Sequence, residues 1–378
     1  MPWVETTAVN LRHQFVLRAL EPDSNIAALC REFRISRKTG YKWLKRFNER
    51  GLAGLEDLSR RPHSCPMRVS GEAVLRVLEV RDAHPRWGPK KIRALLAREL
   101  AADELPAVRT VARILDRAGR VRRRPKRGEV RSVPAGAPDV SVQACNDLWT
   151  VDFKGWWHTT DGGRAEPLTV RDAHSRFVLA ARLLASTKGT DVREVFDELF
   201  RARGLPKAIL VDNGSPFAST RARGGLTHLS AWWVSLGVRL IRGRPGKPQD
   251  NGGHERMHRD IAGEVESVPA ATLAEQQVRL DEWRHESNHV RPHEALGMAV
   301  PATFYVASTR RFREQTHALY PPGTDARRIN RNGYMKYRGA SFYVGTALAG
   351  HIVGIVEVDA ANVELFLHNH PLGLLEVA

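Results

Sequence analysis

At 378 residues the chain is too long for one ordinary domain and, at roughly 150 residues per domain, should hold two to four. Its 42% apolar and 27% charged residues lie in the globular range and exclude wholesale disorder. No run approaches the roughly 18 apolar residues of a membrane span, and residues 1–14 lack the basic-then-apolar layout of a signal peptide, so a soluble cytoplasmic chain is expected. Cys30, Cys65 and Cys145 are the three cysteines; they lie far apart, which argues against a disulfide framework and a structural zinc site. The formal charge is +17, a field that attracts polyanions. Residues 1–139 carry 30 Lys and Arg against 16 Asp and Glu, and residues 140–378 carry 29 against 26. The front third is therefore the expected footprint on nucleic acid.

In chain order, the apolar spacing predicts three short helices between Thr7 and Phe47, with Ser24 and Ser36 as N-caps and Phe33-Arg34-Ile35 as a helix-turn-helix corner. The third helix is the expected reader of DNA, presenting Arg37, Lys38, Tyr41, Lys42, Lys45 and Arg46. A second helical set follows at 72–84, 89–100 and 108–118, closed by Gly119; here Lys90 and Lys91 at a helix start, and Arg109 and Arg113 four apart, are further expected DNA contacts. The tract Arg120–Arg127 is too basic to pack, which makes Arg122, Arg123, Arg124, Lys126 and Arg127 an expected arm along phosphates, with a proline-bearing spacer as the alternative.

From Asp147 onward strand-like and helical runs alternate. Strands are predicted at 148–153, 166–170, 177–183, 208–211 and 238–241, and helices at 190–203, 227–236, 251–268 and 273–289, an antiparallel start continuing into α/β units. Strands at 334–337, 341–344, 351–358 and 362–368 read as a small β-barrel. The expected fold is thus multidomain: helix-turn-helix at 1–60, a second such unit with a basic linker at 61–139, an α/β core with a mixed sheet at 140–305, and the barrel at 322–378. Trp149, Trp156 and Trp157 are expected in the core, with stacking on unpaired bases as the alternative. Arg291-Pro292-His293 either orients phosphates or packs.

Three carboxylates are the candidates for chemistry, although an Asp at a strand end is, taken singly, more often a cap or turn residue. Asp152 interrupts the apolar strand Leu148–Phe153, where a lone carboxylate is costly unless a cation compensates it. Asp212 ends the run Ile209-Leu-Val-Asp-Asn-Gly214, and ligands gather at strand ends in α/β sheets. Glu255 follows the small residues Gly252-Gly253 near a helix start, which lets that helix lie close to the sheet. Hard oxygen donors so arranged suit Mg²⁺, and two such ions can support in-line phosphoryl transfer.

The segments Leu148-Trp-Thr-Val-Asp-Phe-Lys154, Leu210-Val-Asp-Asn-Gly-Ser-Pro-Phe217, Pro245–Arg259 and Asn288-His-Val-Arg-Pro-His-Glu-Ala-Leu296 resemble the integrase core of DDE transposases, in particular the IS481 insertion-sequence group, with kinship to the IS3 group and retroviral integrases. Gly51–Pro62 is similar to that group as well, so the likeness covers most of residues 7–305. The resemblance implies an RNase H-like core, and Asp152, Asp212 and Glu255 as catalytic, metal-binding residues for Mg²⁺ or Mn²⁺, with two ions expected. It further implies binding of terminal inverted repeats, hydrolytic cleavage at transposon ends, attack of a 3′-hydroxyl on target DNA, and a homo-oligomer. Lys247, His258 and Arg259 join the expected DNA contacts. Two departures stand out: 42 residues separate Asp212 from Glu255, longer than the family's usual spacing, with the excess assigned to the loop 221–227; and helix-turn-helix units replace the zinc-binding His-His-Cys-Cys domain of retroviral integrases. Two other readings are a catalytically silent transposase-derived regulator and a zinc peptidase, the latter because His254-Glu-Arg-Met-His258 matches H-E-x-x-H. Against the peptidase, the match sits at a helix start and leaves the basic front end unexplained; under the transposase reading His254 is expected at the surface.

Overall fold

The structure, a computed structural model, describes residues 7–59, 69–121, 141–244, 251–314 and 320–377. Arg122, Arg123, Arg124, Lys126, Arg127 and Lys247 lie outside the described residues. The chain divides into two compact units, Met1–Arg68 and Val69–Ala378.

The first unit contains α1 (Ala8–Ala19), α2 (Ile26–Glu32) and α3 (Arg37–Arg50). Thr7 and Ser36 cap α1 and α3 by accepting N–H groups of Asn10 and Thr39. The cap of α2 differs from expectation. Asn25, directly before the first helical residue, accepts from Ala27 and Ala28, whereas Ser24 lies one residue too early and donates to the Ala19 carbonyl at 2.9 Å. The corner between α2 and α3 turns through Arg34 in the left-handed region, φ 49°. Phe15, Val16, Leu29, Cys30, Trp43 and Leu55 form the core.

Gly40 on α3 is what lets the helices close. A Cβ there would stand 2.6 Å from Cys30 Sγ and 2.9 Å from Phe15 Cζ. Gly40→Ala should therefore destabilise this unit by roughly 1–3 kcal/mol through overpacking, despite alanine's better helix propensity. Limited proteolysis of the full chain would read this as faster cleavage within residues 7–59; cleavage at the wild-type rate would show that Cys30 and Phe15 yield freely.

In the second unit α4 (Gly71–Ala83), α5 (Pro89–Leu96) and α6 (Val108–Arg117) surround Val77, Trp87, Ile92, Leu96, Val111 and Leu115; α5 stops four residues short of expectation. The core then runs β1 (Leu148–Phe153), β2 (Trp157–His158), β3 (Arg164–Ala165), β4 (Pro167–Asp172), β5 (Val178–Leu183), α7 (Gly189–Arg203), β6 (Ala208–Val211), α8 (His228–Ser235), β7 (Arg239–Arg242), α9 (Gly252–Ile261) and α10 (Leu273–His289). Five strands make one mixed sheet in the order β5-β4-β1-β6-β7, antiparallel from β5 to β1 and parallel from β1 to β7. Trp149, Val151, Leu168 and Val170 point to the face covered by α7 and α8. The opposite face carries α9 and α10 through Met257, Ile261, Leu280 and Trp283. Trp149 and Trp157 are core, while Trp156 is exposed.

The expected C-terminal barrel is not what forms. β8 (Asp325–Arg328), β11 (Ile352–Glu357), β12 (Asn362–Leu367) and β13 (His370–Glu376) make an open antiparallel sheet ordered β13-β12-β11-β8, and β9 (Tyr334–Tyr337) pairs only with β10 (Ala340–Tyr343). Among the described residues β13 and β8 do not pair. The apolar face has no need to close on itself, because Met335, Val353, Val363, Leu365 and Leu372 merge with the core around α7 and α8. The loop 221–227 assists: Arg223 donates to the Leu374 carbonyl at 2.7 Å, and His370 Nε2 lies 2.9 Å from the Gly224 carbonyl.

Candidate active site

Asp152 and Asp212 owe their placement to register. β1 and β6 pair in parallel with Thr150 opposite Leu210, so two residues further along each strand the two aspartates stand level at the C-terminal edge. The turn after Asp212 is pinned by Asn213, whose side-chain amide donates to the Gly243 carbonyl at 2.6 Å. Gly214 lies so close that a Cβ there would meet Asp212 Oδ2 at 3.0 Å.

Strand parity supplies the rest. β1 and β4 alternate, so Thr150 and Asp152 on one, and Thr169 and Arg171 directly opposite them on the other, share the face beneath α9. Histidines four residues apart on α9 reach down to this polar patch. His254 is fully buried, with Nδ1 2.8 Å from Thr150 Oγ1 and Nε2 2.7 Å from Thr169 Oγ1. His258 Nε2 lies 2.8 Å from the same Thr169 oxygen, which itself donates to the Asp152 carbonyl at 2.9 Å. Thr169 thus spends its one proton on the backbone and accepts from both rings, so each Nε2 carries the hydrogen. His254 Nδ1 then accepts from Thr150, and His258 Nδ1 faces Asp152 Oδ2 at 4.0 Å. Burial holds His254 well below the ordinary histidine range. Burial, followed by the Lys154 charge, lowers His258 to about 4, so both rings are neutral at physiological pH.

This arrangement corrects the expectation that His254 lies at the surface. It also speaks against a zinc peptidase, since both nitrogens of His254 are already engaged by threonines and zinc would need one of them free.

Glu255, in the first turn of α9, is brought over the β1 edge. Asp152 responds to the gathering: burial first, then Asp212 and Glu255, push its carboxyl up to about 7, although 35% of the side chain stays open. No Lys or Arg pairs with any of the three among the described residues, and among them no three Asp, Glu, His or Cys side chains stand close enough to hold a metal ion. The carboxylates share one site without converging on a point. Like charges crowded without a counter-cation, and a donor set of hard oxygens, fit a divalent cation of the magnesium class.

The other expected contacts fall into groups. On α3, Arg37, Lys38, Tyr41, Lys42 and Lys45 are exposed. Arg46 turns back, donating to the Glu56 carbonyl at 2.7 Å and lying 4.8 Å from the Trp43 ring. Arg109 and Arg113 are exposed on α6, and Arg259 on α9. Lys90 is ion-paired with Glu294, and Lys91 is half-buried near Arg291, Asp260 and Glu264, its pKa lowered by burial and then by Arg291. Arg291 is buried among carboxylates and packs rather than reaching solvent. Sequence reasoning missed Thr150, Thr169 and Arg171. Polar residues alternating with apolar ones in a strand read as a solvent face, and nothing local says that α9 covers it.

The mixed sheet, its paired strand-end aspartates and the glutamate helix laid across it define an integrase-type core behind helix-turn-helix units. Family models agree: an integrase core domain matches residues 143–248 and another 236–301, a helix-turn-helix domain matches 11–63, and a homeodomain-like domain 39–115. The chain is 30% identical over 237 residues to the 31.7 kDa protein of insertion element IS407 from Burkholderia multivorans, covering 61% of this chain and 79% of that one. It is 27% identical over 276 residues to the 39.2 kDa protein of insertion element IS476 from Xanthomonas euvesicatoria, covering 72% and 75%. The chain belongs to the DDE transposases of insertion elements, of the IS3-like, integrase-core type. Among solved structures, the catalytic core domain of BIV integrase overlaps 42% of this chain and 93% of its own at 20% identity, with a TM-score of 0.32.

Proposed function

We propose that this transposase binds the terminal inverted repeats of its element and catalyses strand cleavage followed by transfer of the 3′-hydroxyl to target DNA, with Asp152, Asp212 and Glu255 as the catalytic residues. The observation that supports the reading is positional: Asp152 and Asp212 stand level at the ends of the paired strands β1 and β6, and Glu255 lies in the first turn of α9 above them, while burial first and then the charges of Asp212 and Glu255 raise the Asp152 carboxyl to about 7. They would hold one or two Mg²⁺ or Mn²⁺ ions, which supply Lewis-acid charge stabilisation at the transferring phosphoryl group. The chain's own part is positional. The Thr169 bridge fixes α9 against β1, so Glu255 and Asp152 keep a constant relation, and the neutral His258 presents a bare Nδ1 toward Asp152 without adding charge. Acting on two ends at once calls for at least two copies, so a homo-oligomer on double-stranded DNA is the expected working form.

The test is a Mg²⁺-dependent strand-transfer assay on duplexes carrying the flanking repeats, comparing wild type with Glu255→Gln. Joined product from wild type alone supports the reading. End binding without joined product from either protein would favour a silent regulator.

The exposed face of α3 in the first unit is proposed to contact DNA, and so, separately, are Arg109 and Arg113 on α6 and Arg259 on α9 in the second. Lys42→Ala should weaken binding to all sequences alike and reduce the slope of log affinity against log salt by about 0.9 for each phosphate the side chain neutralises. An unchanged slope in a salt titration would remove Lys42 from the interface.

A further inference from the structure

We propose that Arg171, Arg176 and Arg256, with the first turn of α9, form a binding site for a DNA backbone phosphate next to the catalytic carboxylates. That the phosphate belongs to DNA rests on the function proposed above; the anion site itself rests on the following geometry.

Arg171 is 8% exposed, on the strand face beneath α9. Among the described residues its guanidinium makes no hydrogen bond or ion pair, and its buried Nε has no partner. The neighbouring Asp172 cannot serve it, because that carboxylate accepts from Asn146 N at 2.7 Å and from Ser175 N and Oγ at 2.7 and 2.6 Å. The charge of Asp172 favours the cation from a distance but gives it no hydrogen bond, and a buried cation so poorly compensated is costly unless a ligand completes it.

The guanidinium is aimed at the start of α9. A Cβ on Gly253 would lie 2.4 Å from Arg171 Nη2 and 2.7 Å from Nη1, so only glycine leaves room above it. α9 has ten residues, and the side chain of its N-cap Asn251 makes no capping bond. Among the described residues no side chain caps the first turn, and the positive end of the helix favours an anion there. Arg176 and Arg256 extend the positive cluster: Arg171 is lowered to about 10 by burial and then by Arg176, and Arg176 is lowered by burial and then by Arg256. Glu294, which feels the charge of Arg256, is already ion-paired with Lys90. A tetrahedral oxyanion meets planar guanidinium forks and backbone N–H groups as a matched set. Gly253 and Glu255 belong to the same first turn of α9, and the phosphate is proposed to belong to the strand that reaches the catalytic carboxylates.

The experiment uses full-length protein and two probes. Inorganic phosphate, against chloride at equal ionic strength, should raise the melting temperature of wild type saturably, fail to do so for Arg171→Met, and do so weakly for Arg256→Gln. Arg171→Met without phosphate should melt at or above wild type, because the unpaired buried charge is gone. A terminal-repeat duplex with one neutral methylphosphonate stepped along the strand should bind wild type about tenfold more weakly at one linkage, and Arg171→Met equally with or without it. If Arg171→Met does not fold, the exposed Arg256→Gln decides. Equal phosphate protection in wild type and variants, or a duplex that is bound and joined with no linkage sensing these arginines, overturns the site and leaves the transposase reading standing. Phosphate protection that depends on Arg171, with no competition by the duplex, keeps the anion site and overturns the DNA reading instead.

Discussion

Asp152→Asn is expected to abolish strand transfer, by at least about 10³-fold, and at the same time to raise the melting temperature of the metal-free protein at pH 8. The two effects share one cause. Asp152 sits in a partly buried site with Asp212 and Glu255, and its carboxyl is raised to about 7. A group whose folded pKa lies above its unfolded value adds stability that is fully present below the unfolded pKa, near 4, and is lost as pH rises through the folded value. Above about pH 7 the wild type therefore carries a charge its fold disfavours, and asparagine removes it. The stability difference between variant and wild type should grow from pH 5 to pH 8. Mg²⁺ should stabilise wild type more at pH 8 than at pH 6, where it competes with a proton, and should do little for Asp152→Asn. Thermal unfolding at the two pH values, with Mg²⁺ and with EDTA, checks both. A variant less stable than wild type at pH 8 would mean that the carboxylate is held by partners rather than opposed by neighbours.

Arg291→Ala should be the most destabilising single substitution outside the hydrophobic core. The side chain is 2% exposed and ion-paired with Asp260 at 3.1 Å, Glu286 at 3.6 Å and Glu264, and Glu264 also accepts from Trp283 Nε1 at 2.9 Å. Its guanidinium lies 6.0 Å from the Trp87 ring and 5.9 Å from the Trp283 ring. Trp87 belongs to the second helical set, Asp260 to α9 and Glu286 to α10, so one cation ties three elements. Removing it leaves Glu264, 18% exposed, without its cation and opens a hole in the seam between the two tryptophans, while Asp260 and Glu286, each about a third exposed, are partly screened by water, so the cost should be roughly 2–4 kcal/mol. Urea unfolding of the full chain measures this, and Arg291→Lys should recover only part of the loss, because an ammonium cannot fork toward several carboxylates. A loss no greater than that of a surface arginine would show that water already screens the seam.

Much of this was legible locally. The helix-turn-helix units follow from apolar spacing and caps, and β1, β6 and α10 have the bounds their patterns predict, since apolar period and punctuation are properties of neighbours in sequence. The three candidate carboxylates stand out in the sequence because each breaks a local rule, a charge in or at the end of an apolar run or beside paired glycines. The C-terminal barrel was misread because alternation defines a strand and its faces but not whether the outer strands meet; here the core around α7 and α8 takes up the apolar face, and the sheet stays open.

The amino-acid order by itself determined the helices, the strands, the basic front end and which carboxylates to suspect. Only the tertiary structure decided that Thr150, Thr169 and Arg171 lie inside. They alternate with apolar residues like any solvent-facing side chains, and they are buried because α9 lies across them, where His254 and His258 satisfy the threonines while Arg171 is left without a partner among the described residues. Burial is set by what packs on a face, and the helix that packs on this one begins some eighty residues away in sequence.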